Sequence, residues 1–177
     1  LRPADANEVR EAWIVAIESQ HRPAALVLTR QNLPTLERSA GAYASAAGLR
    51  KGAYVLKDYG TGQPQIILMA SGSEVGLIVQ AGQRLAEQGI AVRLVSFPSW
   101  ELFVEQDAAY QAAVLPPQVT ARLAVEAGVT LGWHRWVGSQ GRVLGLDRYG
   151  ASAPAATVFE KLGLTVDNVE KTALELL

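Results

Sequence analysis

The sequence predicts an α/β fold: a three-layer α/β/α domain with a mainly parallel sheet of about five strands, preceded by an orphan helix–strand segment that belongs to a different sheet. Three observations carry this expectation. Short apolar, partly β-branched runs recur at Ala25–Thr29, Ala53–Leu56, Gln65–Ala70, Ala91–Ser96, Ala121–Glu126 and Val143–Asp147. They lack the alternation of a half-exposed strand, which suits strands covered on both faces. Between them stand helical patterns. One stretch forms a whole βαβ crossover: Gln65–Ala70, a helix to about Gln88, Gly89 as stop signal, then Ala91–Ser96. Its hand should be right-handed.

The helix starts are legible in order. Asp5…Glu8, Ser71…Glu74 and Asp167…Glu170 each set a short oxygen-bearing residue three ahead of a glutamate, the spacing of a reciprocal cap. The first precedes Val9, Trp13 and Ile17; the second Val75, Ile78, Val79 and Leu85; the third Val169, Leu174 and Leu177. Each set recurs at helical period. Pro98-Ser99 opens another helix over Trp100–Gln106, and Leu115-Pro116-Pro117 ends the one after it. The strand Ala53–Leu56 is the candidate for an antiparallel edge.

The stretch between Gln31 and Lys51, with Pro34, Gly41 and Gly48 and no sustained period, reads as a linker. One helix and one strand precede it, too little to bury a core. Trp13, Ile14, Ile17 and Leu26 would lack partners there and are expected to pack onto another copy or onto the main domain.

Composition narrows the function classes. The 177 residues are 49% hydrophobic with a formal charge of −1, which suits a globular chain and gives no basic stripe for nucleic acid. There is no cysteine and only two histidines, His21 and His134, so thiol chemistry and a histidine metal cluster are not expected. No apolar run approaches the ~20 residues that span a bilayer. The opening Leu1-Arg2-Pro3 is neither a signal peptide nor an ordinary start and reads as the interior of a longer, cytoplasmic protein.

Four stretches go beyond fold class: Leu28-Thr29-Arg30-Gln31-Asn32-Leu33-Pro34, Ala70-Ser71-Gly72-Ser73-Glu74-Val75, Phe97-Pro98-Ser99-Trp100-Glu101-Leu102-Phe103 and Gly150-Ala151-Ser152-Ala153-Pro154. In this order and at these separations the chain resembles transketolase, from Arg2-Pro3-Ala4-Asp5 to Leu177. The resemblance implies that residues 1–35 are the tail end of the pyrimidine-binding (middle) domain, 36–51 a linker and 52–177 the C-terminal domain. It implies a transferase of the pentose phosphate pathway that moves two-carbon ketol units between sugar phosphates. Its cofactors would be thiamine diphosphate and a divalent metal, Mg or Ca. Its partners would be the remaining domains and a second subunit of a homodimer. The family's catalytic glutamate, substrate histidines and metal ligands lie upstream of Leu1. This chain is therefore expected to bind no cofactor, to be inactive alone, and to lend structural and dimer support.

One residue carries over. Arg30 sits where the family has an arginine on the substrate phosphate, and a guanidinium offers a planar, permanently charged fork for phosphate oxygens. Without its motif Arg30 would read as a solvated strand-end arginine. Gln31 and Asn32 fix the turn. Ser71-Gly72-Ser73 could cradle an anion at a helix start, but capping already accounts for Ser71 and Glu74. Trp100, Phe103 and Tyr110 read as packing. Trp133 and Trp136 could line a pocket or a protein contact, and His134 between them reads as a surface histidine. Glu126 and Asp147 end strands, where open α/β sheets bind ligands, with no catalytic pairing deducible. Asp147–Pro154 reads as a turn or, more sharply, as a contact with a neighbouring domain or subunit. The alternative function is a non-catalytic binding or regulatory module related to the C-terminal domain of 2-oxoacid dehydrogenase beta chains. A third is a deoxyxylulose phosphate synthase.

Overall fold

The run Ile66-Ile67-Leu68-Met69-Ala70 is buried at every position, and the sheet is organised around it. The computed structural model describes residues 1–177 apart from the side chain of residue 40. Its strands are β1 (Tyr54–Tyr59), β2 (Ile66–Ala70), β3 (Val92–Ser96), β4 (Arg122–Val125) and β5 (Arg142–Leu144). Its helices are α1 (Ala6–Glu18), α2 (Val75–Glu87), α3 (Trp100–Val104), α4 (Ala108–Val114), α5 (His134–Val137), α6 (Ala155–Lys161) and α7 (Val166–Leu174).

The five strands lie in the order β1-β3-β2-β4-β5. All neighbours are parallel except β1. That strand is the expected antiparallel edge, paired with β3 from Tyr54↔Ser96 to Tyr59↔Val92 with an irregularity at Val55/Lys57.

Side chains alternate across a strand, so the central run feeds two cores. Ile66, Leu68 and Ala70 meet Leu94, Leu123 and Val125 under α2 and α7. Ile67 and Met69 meet Val95, Ala124 and an aromatic group on the other face. There Phe97 has Trp136, Phe103 and Trp133 at ring distances of 4.8, 5.0 and 5.6 Å. Trp133 and Trp136 are therefore core residues, and a pocket-lining role for them is set aside. Helix α2 approaches the sheet closely at Gly82, where a Cβ would stand 2.6 Å from Leu94 Cδ2.

Caps follow the sequence in part. Asp5, Ser99 and Asp107 accept from the N–H groups of Glu8, Leu102 and Tyr110. The last helix is capped two residues earlier than expected: Thr165 caps it, while Asp167 and Glu170 turn to Arg84 at 2.6 and 3.2 Å. Ser71 makes no capping bond, and a 3₁₀ turn over Gly72–Glu74 precedes α2. Both oxygens are used elsewhere, as described below.

Residues 25–29 form no strand. A strand needs a neighbour for its N–H and C=O groups. Among the described residues only Leu1 serves, donating to Ala25 O at 2.7 Å and accepting from Val27 N at 2.9 Å. Helix α1 buries Glu8, Glu11 and Ala12, whereas Trp13 and Ile17 remain 54% and 75% exposed. Of the two expected coverings for these side chains, another copy or the main domain, the main domain does not supply one, because the helix docks by its carboxylate face. Residues 147–157 are exposed and a Cβ on Gly150 would meet nothing within 4 Å, so no close backbone approach occurs there within the chain.

Gly52 holds the start of β1 against α3. Its φ is +84°, and a Cβ would lie 2.2 Å from Phe103 N and 2.4 Å from Ser99 O. Gly52→Ala should cost at least the ~1–3 kcal/mol of a non-glycine residue in the left-handed region, read as a lowered urea midpoint. An unchanged midpoint would mean that this contact does not hold β1.

Candidate functional site

In open parallel sheets, ligands bind outside the carboxyl ends of the strands, where successive connections run to opposite sides. Here β2 leads through α2 to β3 on one side, while β4 flanks β2 on the other. The crevice is therefore bordered by Ser71–Glu74 after β2 and by Glu126 after β4.

A guanidinium fills it. Arg2 Nη1 lies 2.5 Å from Glu74 Oε2 and 2.5 Å from Glu126 Oε1, and it donates to Ser71 O at 2.9 Å and Ser71 Oγ at 3.1 Å. Ser71 Oγ donates in turn to Glu126 Oε2 at 2.9 Å, and Ala127 N donates to Glu74 Oε2 at 2.9 Å. Glu74 is fully buried. Burial pushes the Glu126 carboxyl above the usual range; Arg2 pulls it down and Glu74 pushes it up again. The close approach depends on Gly72 (φ +55°), where a Cβ would stand 2.9 Å from Arg2 Cγ. The crevice is a cation site, and the oxygens assigned to capping serve it.

A cavity of about 190 Å³ adjoins the crevice, lined by Arg2, Gly72, Ser73 and Phe159 on one side and Leu28, Thr29 and Gln31 on the other. Arg30, in sequence between the lining residues Thr29 and Gln31, is itself outside the lining, exposed and with no ion pair among the described residues. The Thr29 hydroxyl donates to Gln31 Oε1, which fits a turn-fixing role for Gln31.

A second buried cluster ties α1 to the sheet. Glu8, fully buried, accepts from Tyr54 OH at 2.6 Å, Ser96 Oγ at 2.7 Å and Ala4 N at 2.8 Å. Arg38 Nη2 stands 3.8 Å from Glu8 and 3.3 Å from Asp5, and Arg38 Nη1 donates to Tyr54 OH at 2.9 Å. Burial raises the Glu8 carboxyl above its ordinary range, opposed by the Tyr54, Ser96 and Ala4 hydrogen bonds. Burial, then the Glu8 charge, raises the Tyr54 phenol.

The remaining candidates do not converge. Asp147 accepts from Thr130 N at 2.9 Å and from the Thr130 hydroxyl, bonds that hold its carboxyl below the usual range. Glu126 is engaged with Arg2, so the two strand-end acids form no pair. His134 is exposed at the start of α5. Arg2, Glu8 and Arg38 were missed in the sequence because their partners lie tens of residues away. The only local signal was Ser71 and Glu126, both at strand ends.

A family model described as the transketolase-like TK C-terminal domain matches residues 52–165. A transketolase of Geobacillus stearothermophilus is 50% identical over 177 residues, covering 100% of this chain and 26% of that protein. The structure of a transketolase from Leishmania mexicana superposes with a TM-score of 0.87 at 40% identity, covering 99% of this chain and 24% of the other. A Pichia stipitis transketolase in complex with sedoheptulose-7-phosphate gives 0.87 at 39% identity, with the same coverage of 99% and 24%. The chain thus spans about a quarter of the length of the relatives it matches. Among the described residues no helix is long and apolar enough to cross a membrane.

The Glu8 cluster makes stability pH-dependent. A carboxyl whose folded pKa is raised holds a proton that the unfolded chain releases above about pH 4.3. The stability it contributes is present below the unfolded pKa and is lost as pH rises through the folded one. The urea midpoint should therefore fall as pH rises from the ordinary glutamate range, and Glu8→Gln should flatten that slope. An identical slope in the variant would assign the dependence to other groups.

Proposed function

Because the chain belongs to the transketolase family, as its C-terminal portion, we propose that it completes an enzyme whose chemistry is supplied elsewhere, and that Arg30 contributes a contact to the substrate phosphate. In this reading the whole enzyme transfers two-carbon ketol units between sugar phosphates in the pentose phosphate pathway, as a thiamine-diphosphate-dependent, cytoplasmic homodimer. Residues 1–35 are the end of its pyrimidine-binding domain, 36–51 a linker and 52–177 the C-terminal domain. The observation that carries the role of Arg30 is its position. It is an exposed arginine on the Leu28–Pro34 motif, free of carboxylate partners among the described residues, while the other arginine near the same cavity, Arg2, is neutralised by Glu74 and Glu126. A phosphate meeting this surface would be drawn to Arg30 and not to the crevice. The relative solved with sedoheptulose-7-phosphate supports the substrate class.

The residues of this chain do not fit a thiamine diphosphate with its metal. The position at which an open α/β sheet would receive a diphosphate holds Arg2 between two glutamates, and any anion entering would face those carboxylates at close range. The bound cofactor would supply the carbanion chemistry of ketol transfer in the whole enzyme, and its ligands belong to the other domains. The same occupancy weakens the alternative of a stand-alone binding or regulatory module, since the crevice best suited to a small ligand is filled from within.

The purified 177-residue chain should neither bind thiamine diphosphate in calorimetry nor turn over sugar phosphates; turnover by it would overturn the reading. In the full-length enzyme, Arg30→Ala should lower kcat/KM for phosphorylated sugars by about 1.5–3 kcal/mol, on the order of tenfold to a hundredfold. Sugars without phosphate should be affected far less. Equal losses on both would remove Arg30 from the phosphate site.

A further inference from the structure

Two charged side chains of the segment before and at the start of α1 each bridge a pair of strands at the carboxyl edge of the sheet. Glu8 Oε1 accepts from Tyr54 OH at 2.6 Å and from Ser96 Oγ at 2.7 Å. Tyr54 and Ser96 are register partners of β1 and β3, so one carboxylate closes that antiparallel pair. Arg2 Nη1 stands 2.5 Å from both Glu74 and Glu126, which follow the parallel neighbours β2 and β4. The backbone supports the same seating. Arg2 N donates to Pro98 O at 2.8 Å, and Arg2 O accepts from Gly72 N at 2.9 Å. Pro98 and Gly72 lie just beyond β3 and β2.

The charges make this seating one-way. The site after β2 and β4 offers acceptors and takes a cation; the β1–β3 site offers two hydroxyl donors and takes a carboxylate. A slip that carried Glu8 toward Glu74 and Glu126 would set like charges together and leave buried groups unmatched. Ala4 and Leu36 also pack with the apolar core of the sheet, but apolar burial is non-directional and selects no orientation. The superposition on the Leishmania mexicana chain runs over 99% of this chain, which makes up 24% of the other. The leading segment and the sheet therefore share one arrangement with a much longer relative.

We propose that the carboxyl edge of this sheet is the face on which the preceding domain docks, with Arg2 and Glu8 as two keys of opposite charge that fix its orientation. The partner this face fits is a helix start with an arginine ahead of its cap and a carboxylate in its first turn. Cutting both keys frees the C-terminal domain to open by itself. The inference rests on residues 1–35 being the end of a preceding domain, and its test separates the two.

In the full-length enzyme, amide hydrogen exchange is followed in urea below global unfolding for peptides spanning α1, β2 and β4. In the unsubstituted enzyme the three should open together. With Arg2→Met and Glu8→Ala combined, protection of β2 and β4 should fall on the order of tenfold or more, the scale of a broken buried pair. Helix α1 should keep its protection. Arg2→Met and Glu8→Gln alone should each give the same separation in smaller measure, which decides the matter if the double variant does not fold. Arg84→Met, which removes an exposed ion pair within the C-terminal domain, should give no separation. The docking face is overturned if the three already open separately in the unsubstituted enzyme, or if the key variants lower all three by the same factor or not at all. It is also overturned if Arg84→Met separates them equally. Loss confined to α1 would instead remove the reading of residues 1–35 as part of a preceding domain, and the docking face with it.

Discussion

The first 38 residues meet the sheet through buried carboxylates as well as through the apolar Ala4 and Leu36, and the orientation of α1 depends on the carboxylate seam. Asp5, Glu8 and Glu11 are buried, while Trp13 and Ile17 on the same helix face outward. Burying a carboxylate costs several kcal/mol unless its lone pairs are met. Glu8 is met by a phenol, a hydroxyl and a backbone N–H. Such a seam has strict geometry, because a shift of the helix would strand these groups without partners. It fixes orientation more than it adds stability, in keeping with an element whose apolar side is left free.

Two further arginines extend the seam. Arg38 reaches Asp5 and Tyr54, and Arg50 reaches Glu11 at 2.7 Å. Arg2 does the same at the opposite end, between Glu74 and Glu126. The cationic partners come from Arg2 before α1 and from Arg38 and Arg50 between α1 and β1. The crevice that other α/β proteins offer to ligands is here taken up by the protein's own chain.

The sheet beneath was largely legible. A run such as Ile66–Ala70 has no polar face, so it must be covered on both sides, and the crossover to Ala91–Ser96 followed from spacing alone. The antiparallel edge was also anticipated. The misjudged caps share one cause, which is competition for a side chain by a distant partner. Ser71 and Glu74 have the spacing of a cap, but Arg2 and Ala127 N outbid the local bonds. Asp167 and Glu170 have it too, and Arg84 takes them while Thr165 caps the helix. Ala25–Thr29 has strand composition, yet a strand exists only where another chain segment pairs with it.

By itself the sequence determined the α/β class, the parallel centre of the sheet, the helix periods and the motif bearing Arg30, because these depend on residues near one another in the chain. Tertiary structure alone decided that Glu8 lies in the core, that the tryptophans of α5 and its approach are packing, and that Arg2 occupies the switch point. Each of those outcomes depends on contacts between residues distant in the chain, as far as 124 residues apart for Arg2 and Glu126. Local pattern carries no information about which of several carboxylates a distant guanidinium will reach; the fold, by setting β4 beside β2, makes that choice.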